Sequence, residues 1–494
     1  MTPNDILHYV EENIFFLLSM INYGMAIVIV ILMIYRRHDP VKTMSWTLVL
    51  LLIPFVGIAL YIFFGQNFRK EKIFNRKSVQ TIKVVDDMSK RQVIRILKNQ
   101  VLYDDPELVD YKNIIALILN NSQSPISGNN NIDIYFNGAD MFDNLKKAIL
   151  NAKEHIHIQF YILSPDKIGN EIKDLLIKKA KEGVAVRVLY DDVGSWSLCR
   201  KYLKALRYAG VEIHPFMKVV FPWLTSKVNY RNHRKITVID GKVGFVGGMN
   251  VADRYIGGNK QFKWWRDTHL KITGDAVQSL QYQFLLDWYF VTKQLLIDQK
   301  NSSYFPESES EGSTKVQIAA SGPDSDWANI MQAYFAAISK AKKYIYITTP
   351  YFMPNESIIT AIKVASLSGV DVRLMLSEKS DARVSQWCTM SYLSELLETG
   401  VKVYLYRKGF NHSKTLVIDG YFTSVGSVNM DNRSFEHNFE VTAIMYDKDI
   451  ARKMEDQFKK DINSSRHVNL QQWEERSTMN KLSEGFARLF SPLL

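Results

Sequence analysis

The stretch NHRKITVID, residues 232–240, sets a histidine and a lysine beside an apolar run. His233, Lys235 and Asp240 stand at H-x-K-x4-D spacing, and Asn250 follows shortly downstream. An imidazole can act as a nucleophile, or as a general acid and base, near neutral pH. An ammonium or an amide N–H can hold the oxygens of an anion. Together these residue types suit the transfer of a group that carries a phosphate.

The same pattern returns in NHSKTLVID, residues 411–419, which indicates a duplicated domain. His412, Lys414 and Asp419 each lie 179 residues after their counterparts, and Asn429 does so too. A pseudo-twofold arrangement would bring the two histidines to opposite sides of one pocket. One imidazole could then attack phosphorus while the other protonates the leaving alkoxide. The lysines and asparagines would offset the developing charge, so we expect neither a metal ion nor another cofactor to be needed.

Carboxylates are expected behind the two imidazoles, because a nucleophilic histidine needs its second ring nitrogen fixed. Asp267 in WWRDTHL and Glu440 in HNFEVTA lie at similar distances downstream of the motif in the two halves. We therefore predict that they orient the histidines. Asp240 and Asp419, the acids of the motif itself, each precede a glycine. They are candidate catalytic residues, but they suit the fixing of a turn equally well.

Other interpretations of the repeated residues explain less. A zinc site is disfavoured, because lysine is not a usual ligand and neither Cys199 nor Cys388 lies near a cluster of histidines. Histidines satisfied within a core, or lysines on a surface, would not account for the repetition. Arg254 and Arg433 also correspond between the copies. For these two arginines a structural role and a role in the site remain equally plausible.

The elements around the motifs predict the fold class. AILNAKEHIHIQFYIL from Ala148 parallels AISKAKKYIYITTPYF from Ala337, and both read as a helix followed by a strand. Apolar alternation separated by helical patterns predicts α/β sandwiches with mixed or largely parallel sheets. We expect two such domains that share one active site. The predicted ranges are 132–297 for the first domain, 298–314 for a linker, 315–470 for the second domain and 471–494 for an amphipathic tail.

Two uncharged apolar stretches precede these domains, residues 14–35 and 46–64. Each is long enough to cross a hydrocarbon core of about 30 Å, so residues 1–67 are predicted to form a transmembrane helical hairpin. A signal peptide fits the first stretch poorly, because there is no basic n-region and no small-residue cleavage site. Basic residues flank both sides and leave the topology open. The two cysteines suit a reducing compartment, which favours catalytic domains in the cytoplasm.

The net charge of +11 suits a polyanionic partner, either nucleic acid or an anionic membrane surface. The predicted hairpin favours the membrane. Residues 68–131 read as a basic juxtamembrane helical linker, and residues 217–227, MKVVFPWLTSK, as an interfacial loop or a packed excursion. The tail could likewise lie on the bilayer or dock on the protein. Its apolar face would comprise Leu482, Phe486, Leu489 and Phe490.

The duplicated H-x-K-x4-D motif with its downstream Gly-x2-Asn resembles the phospholipase D superfamily over roughly residues 130–470. NHRKITVIDGKVGFVGGMN and SVGSVNMDNRSFEHNFE, behind two apolar stretches, are similar to the bacterial cardiolipin synthases within it. The resemblance implies two phospholipase D-like α/β/α domains and a phosphohistidine intermediate. It implies transfer of a phosphatidyl group from one phosphatidylglycerol to another, with release of glycerol.

The resemblance also implies a role for each matching residue. His233 would be the nucleophile and His412 the general acid and then base, although these roles could be exchanged. The implied phosphate-binding residues are Lys235, Asn250, Lys414 and Asn429, and the implied histidine-orienting acids are Asp267 and Glu440. One local departure is Ser427, which stands where the first half has Gly248.

Four other functions compete with this one. Transfer to a different acceptor, or hydrolysis, would use the same catalytic residues and change only the acceptor pocket. A membrane-tethered nuclease would explain the basic charge, but the sequence has no arginine-aromatic stacking platform. A lipid-binding module without catalysis would not need either histidine. The sequence leaves the oligomeric state and the acyl-chain preference open.

Overall fold

A computed structural model of the chain describes residues 3–36, 40–65, 106–219, 229–296 and 302–492. The chain divides into two compact units, residues 1–75 with 220–229, and residues 76–219 with 230–494. Residues 68–105 of the expected basic linker and the part of the expected interfacial loop after Val219 lie outside the described residues.

The first unit contains the apolar helices. Helix α1 (Pro3–Tyr35) includes 23 residues, Asn13–Tyr35, with a mean hydropathy of 2.4, and is long and apolar enough to cross a membrane. The second apolar stretch is not one helix but two, α2 (Pro40–Leu52) and α3 (Val56–Phe64). Pro54 lacks an N–H, and Phe55 adopts a φ of 62°. In the described part of the chain, α1 is therefore the only helix long enough to cross alone.

The first half of the second unit alternates strands and helices. Its strands are β1 (Ser127–Tyr135), β2 (His155–Phe160), β3 (Ala185–Asp191), β4 (Glu212–Phe216), β5 (Ile236–Ile239), β6 (Val243–Gly247), β7 (Trp265–Arg266) and β8 (His269–Thr273). Its helices are α4 (Pro106–Asp110), α5 (Lys112–Ser122), α6 (Gly138–Asn151), α7 (Lys167–Lys181), α8 (Arg200–Tyr208), α9 (Arg254–Gly257) and α10 (Ala276–Thr292). A 3-10 turn at Ser302–Tyr304 leads into the second half.

The second half repeats this alternation. Its strands are β9 (Thr314–Ser321), β10 (Tyr344–Thr348), β11 (Phe352–Met353), β12 (Asp371–Ser377), β13 (Lys402–Tyr406), β14 (Phe410–Asn411), β15 (Thr415–Ile418), β16 (Phe422–Gly426), β17 (Met430–Asp431), β18 (Glu440–Tyr446) and β19 (Ser465–His467). Its helices are α11 (Asn329–Lys340), α12 (Glu356–Leu367), α13 (Arg383–Ser391), α14 (Leu393–Glu398), α15 (Asn432–Glu436), α16 (Lys448–Ile462), α17 (Leu470–Glu474) and α18 (Thr478–Arg488).

Fifteen strands form one mixed sheet in the order β19-β13-β12-β10-β15-β16-β18-β9-β1-β8-β6-β5-β2-β3-β4. Within each half, three strands are parallel, β2-β3-β4 in the first and β10-β12-β13 in the second. The antiparallel pairing of β1 with β9 joins the two halves. The mixed α/β class expected from the sequence is confirmed.

Packing buries the two motif strands, β5 and β15. All four residues of each strand are buried. Side chains of both halves share one core, in which Ile236 and Val238 join Val417 and Val425. Helices α6, α7 and α8 cover the opposite face of the part of the sheet that belongs to the first half. A shared core leaves little freedom for one half to shift against the other.

The linker expected at residues 68–131 is corrected by the structure. Helices α4 and α5 lie within it, and Ile114, Ile115 and Leu119 are buried in the core of the second half. The Gln317 amide also donates to the Ile115 carbonyl oxygen at 3.2 Å. Residues from Pro106 onward are therefore part of the folded unit.

The C-terminal tail docks on the protein and leaves one apolar face exposed. Helix α18 docks on the second half, where Arg488 pairs with Glu395 at 2.6 Å. On its other face Leu482, Phe486 and Leu489 are 63%, 65% and 73% exposed. An apolar face of this kind remains available for a bilayer surface.

Candidate active site

Each motif histidine lies where the chain crosses to the other half. Just before β5, the His233 N–H donates to the Phe439 carbonyl oxygen at 2.9 Å. Just before β15, the His412 N–H donates to the Arg266 carbonyl oxygen at 2.7 Å, and β14 pairs in parallel with β7. Phe439 and Arg266 directly precede Glu440 and Asp267 in the chain. The backbone therefore brings each histidine beside the acid of the opposite half.

The side chains pair in the same crossed manner. His233 Nδ1 lies 3.0 Å from both carboxylate oxygens of Glu440, and His412 Nδ1 lies 2.7 Å from Asp267 Oδ2. An ionised carboxylate only accepts, so each Nδ1 carries the proton and each Nε2 keeps a free lone pair. Both predicted acids thus contact a motif histidine. Sequence spacing did not reveal that each acid serves the other half.

Both histidines line one cavity of about 520 Å³. It is also lined by Asn250 and Arg254 of the first half and by Asn429 and Arg433 of the second. The structure therefore brings the two half-sites together, and it favours the site role for the two arginines. In the described ranges, no group of three or more His, Cys, Asp or Glu side chains could hold a metal ion.

The two motif lysines lie behind the histidines. Lys235 Nζ donates to the His233 carbonyl oxygen at 2.6 Å, and Lys414 Nζ donates to that of His412. Both side chains are buried, and Lys235 lies over the Tyr161 ring at 5.4 Å. Burial lowers the pKa of Lys235 well below its ordinary value and that of Lys414 to about 8. The lysines supply positive charge beneath the cavity and are not among its lining residues.

The two asparagines differ in their contacts. Asn250 Oδ1 accepts the Ile162 N–H at 3.0 Å, and Asn250 Nδ2 donates to the Tyr255 hydroxyl at 2.7 Å. Asn429 Oδ1 is buried and has no hydrogen-bond partner in the described structure. The repeat therefore places equivalent amides in unequal environments.

Asp240 and Asp419 are not brought to this cavity, which corrects their assignment as catalytic residues. Asp240 accepts backbone N–H groups of residues 153, 154 and 155 at 2.8 to 2.9 Å. Asp419 accepts those of residues 342, 343 and 344 at 2.7 to 2.9 Å. Both residues have a φ of 52°, in the left-handed region that aspartate tolerates in turns. They fix the turn after the motif strand to the start of the neighbouring strand.

Burial sets the protonation of the two histidines. It lowers the pKa of His233 to about 4, with help from Lys235 and Lys414 and against the attraction of Glu440. Burial and the same two lysines lower the pKa of His412 well below its ordinary value. Both rings are therefore neutral at pH 7 in this structure. A phosphate bound between them would raise both pKa values, because an anion favours the imidazolium.

Two further residues were missed by sequence reasoning. Arg231 lines the cavity and pairs with Asp191 at 3.1 Å, both side chains being buried. Asn438 lines it too, and its amide donates to Glu440 Oε1 at 3.2 Å. The position of Arg231 two residues before the histidine was the only available signal, since its counterpart in the repeat is Phe410.

The chain is similar to known proteins over most of its length. The chain matches the family model "Cardiolipin synthase, PLD-like domain" over residues 145–288 and 334–462, and "Phospholipase_D-nuclease N-terminal" over residues 25–66. A "Cardiolipin synthase" of Oceanobacillus iheyensis is 41% identical, covering 96% of this chain and 97% of that protein. A "Cardiolipin synthase 2" of Bacillus anthracis is 43% identical, covering 94% and 89%.

A solved structure shares the fold. The phosphatidylserine synthase of Haemophilus influenzae Rd KW20 superposes with a TM-score of 0.55 at 16% identity, covering 74% of this chain and 95% of that one. At this identity the likeness concerns the architecture alone.

Proposed function

The chain belongs to the cardiolipin synthases of the phospholipase D superfamily, and we propose that it joins two phosphatidylglycerol molecules into cardiolipin and glycerol through a phosphohistidine. The observation that carries this mechanism is the pair of crossed histidine–carboxylate contacts in one cavity. Two imidazoles, each with Nδ1 fixed and Nε2 free, can divide nucleophilic attack and proton transfer between them.

In the first step, His233 Nε2 attacks the phosphorus of the donor phosphatidylglycerol. The bond from phosphorus to the glycerol oxygen breaks as the N–P bond forms, and the His412 imidazolium gives its proton to the leaving alkoxide. Glycerol departs and the phosphatidyl group stays on His233. Glu440 stabilises the positive charge that develops on the His233 ring as its Nε2 bonds to phosphorus.

In the second step, a free hydroxyl of the second phosphatidylglycerol attacks the phosphohistidine. His412, now neutral, takes the hydroxyl proton, the new O–P bond forms and the N–P bond breaks. Cardiolipin leaves, and both histidines return to their starting states. One phosphodiester replaces another, so the exchange needs little net driving force.

Positive charge on the cavity wall supports this assignment. Arg231, Arg254 and Arg433 line the cavity and can hold the non-bridging oxygens, while Lys235 and Lys414 add positive charge beneath it. Guanidinium groups suit phosphate because their N–H donors match its oxygens. These groups would offset the charge that develops on the phosphorus oxygens.

The relatives and helix α1 support association with a membrane. We extend this to two spans, α1 and the broken α2–α3 segment, with the catalytic unit in the cytoplasm and facing anionic lipid. Accessibility of single cysteines at residues 38 and 310 to an impermeant thiol reagent in intact cells tests the orientation, after Cys199 and Cys388 are replaced by serine. Labelling of position 310 in intact cells would contradict it.

The reaction is tested by product analysis after purified protein acts on phosphatidylglycerol vesicles. We expect the wild type to form cardiolipin and glycerol in equimolar amounts. His467→Ala, which replaces an exposed histidine on β19, should do the same. We expect neither product from His233→Ala or His412→Ala. Phosphatidic acid as the main product would instead show hydrolysis, and salt-sensitive cleavage of DNA would favour the nuclease.

A further inference from the structure

The cavity is electrically polarised, and its cationic side lies beside His233. The Tyr161 ring contacts the His233 ring edge-on at 5.0 Å. Burial and Asp191 raise the pKa of Tyr161, while Arg433, Arg231 and Arg254 all act to lower it. Three guanidinium groups from both halves are therefore close to this phenol. A phosphate is drawn to this side of the cavity.

The anionic side surrounds Tyr351. The Tyr351 hydroxyl donates to Asp381 Oδ1 at 2.6 Å, and Asp381 and Asp431 both line the cavity. Burial raises the pKa of Tyr351 well above its ordinary value, and Asp381 and Asp431 raise it further. Asp381 also acts on His412, whose imidazolium it favours. This acidic side therefore belongs to the second half and to the proton-transferring histidine.

Asp431 has no counterpart in the first half. It lies two residues after Asn429, and the position two residues after Asn250 is Ala252. Asp431 is only 3% exposed, and its Oδ1 accepts the Ser434 N–H at 2.6 Å, which caps α15. A buried carboxylate next to an anionic substrate is costly, and the Ser434 N–H fills only one of its roughly four acceptor sites, so a further donor would stabilise it.

Two amide oxygens that line the same cavity indicate what kind of group would donate. Asn429 Oδ1 and Asn438 Oδ1 are both buried at the cavity and lack hydrogen-bond partners within the described ranges. Burial raises the pKa of Asp431 to about 6, and a hydrogen bond from the Asn429 side chain acts to lower it. Carboxylate and amide oxygens only accept, so they repel phosphate oxygens and suit a hydroxyl group. This contact argues against the phosphate-binding role that the resemblance implied for Asn429.

We propose that Asp431, with the amide oxygens of Asn429 and Asn438, forms a hydroxyl-binding subsite for the C2 hydroxyl of the glycerol attached at the reacting phosphate. The inference rests on the proposed function. The C2 hydroxyl is present both on the glycerol that leaves the donor and on the headgroup of the acceptor, so one subsite serves both steps. It adds hydrogen bonds only and changes no covalent bond. Water lacks a second hydroxyl and gains nothing from the subsite.

A matched pair of small alcohols tests the subsite. Full-length protein acts on phosphatidylglycerol vesicles with equal concentrations of 1,2-propanediol and 1-propanol, which differ only in the C2 hydroxyl. Mass spectrometry measures the ratio of phosphatidylpropanediol to phosphatidylpropanol. The variants are Asp431→Asn, which keeps the helix cap, and Asp449→Asn, the same change at a side chain that is 74% exposed.

We expect the wild type and Asp449→Asn to favour the diol, and Asp431→Asn to lower this preference by about 10- to 100-fold. A wild type without preference, or an unchanged ratio in Asp431→Asn, would overturn the subsite. Both products should form more slowly in Asp431→Asn, because the leaving glycerol of the donor uses the same subsite, so the product ratio and not the rate carries the test. Cardiolipin formation without transfer to either alcohol would overturn the subsite too. No lipid product at all from the wild type would overturn the proposed function itself.

Discussion

His233 and Glu440 contact each other across 207 residues of chain, at 3.0 Å from Nδ1 to each carboxylate oxygen. His412 and Asp267 repeat the contact in the opposite direction. Each histidine is thus oriented by the half that does not contain it. A single domain holds only half of each dyad, so catalysis requires both copies of the repeat.

The crossed dyads predict that each of two conservative substitutions impairs the histidine of the other half. Glu440→Gln should lower kcat by about 10²- to 10⁴-fold because it disturbs the nucleophile of the first half. Asp267→Asn should lower kcat because it disturbs proton transfer by His412. Pre-steady-state kinetics with phosphatidylglycerol measures both. Glu378→Gln serves as the control, at a side chain of the second half that is 29% exposed and pairs with Arg407. Full activity of Glu440→Gln would contradict the crossed arrangement.

A donor with a good leaving group separates the two histidines. Phosphatidyl-p-nitrophenol needs no proton at its leaving oxygen, so His412→Ala should still release one equivalent of p-nitrophenol and accumulate phosphatidyl-His233. His233→Ala should release none. Stopped-flow absorbance records the burst, and peptide mass spectrometry locates the adduct. A burst from His233→Ala and none from His412→Ala would exchange the two roles.

Repetition explains what the sequence could reveal. The histidines, lysines and the acids Asp267 and Glu440 recur in both copies, so their type and spacing could be predicted. The crossing of the dyads could not, because spacing along the chain is the same whether an acid serves its own half or the other. It depends on the pairing of β14 with β7 and of Asn232 with Phe439.

Residues that occur in only one copy of the repeat could not be predicted in this way. Arg231 corresponds to Phe410 and Asp431 to Ala252, so neither could be found by comparing the copies. The break at Pro54 has a different cause. A membrane helix tolerates proline, so Pro54 alone did not predict a break. The break forms where the Phe55 N–H donates to Asn22 Oδ1 of α1 at 2.8 Å. This partner is set by packing between helices.

Buried neutral histidines predict loss of stability in acid. Burial lowers the pKa of His155 and His233 to about 4 and that of His269 to about 3, from 6.5. Between pH 6.5 and about 4 the unfolded chain binds protons that the folded chain does not, so the free energy of unfolding falls as the pH falls. Each of these three histidines should lower the free energy of unfolding by about 2 kcal/mol between pH 7 and pH 5.

The measurement is the melting temperature of the detergent-solubilised protein against pH. His155→Phe should flatten the acid side of this curve, because phenylalanine takes up no proton and can pack against Tyr304, whose ring lies 5.0 Å from that of His155. His467→Gln, at an exposed position, should follow the wild type. A wild-type curve that stays level from pH 7 to pH 5 would disprove the linkage.

The one local departure between the motifs predicts an asymmetric response to substitution. A Cβ at Gly248 would collide with the carboxylate of Asp267, whereas Ser427 in the other copy donates to Glu440 Oε2. Gly248→Ser should therefore displace the acid that orients His412 and lower kcat by at least about 100-fold. Ser427→Gly should lower kcat only about 10-fold, because Glu440 keeps the hydrogen bond from Asn438 at 3.2 Å.

Initial rates of cardiolipin formation compare the two variants. Gly257→Ala is the matched control, since a Cβ there meets nothing within 4 Å and the residue lies at the end of α9. If Gly248→Ser matches the wild type, Asp267 is not held against that glycine and the orientation of His412 must come from another group.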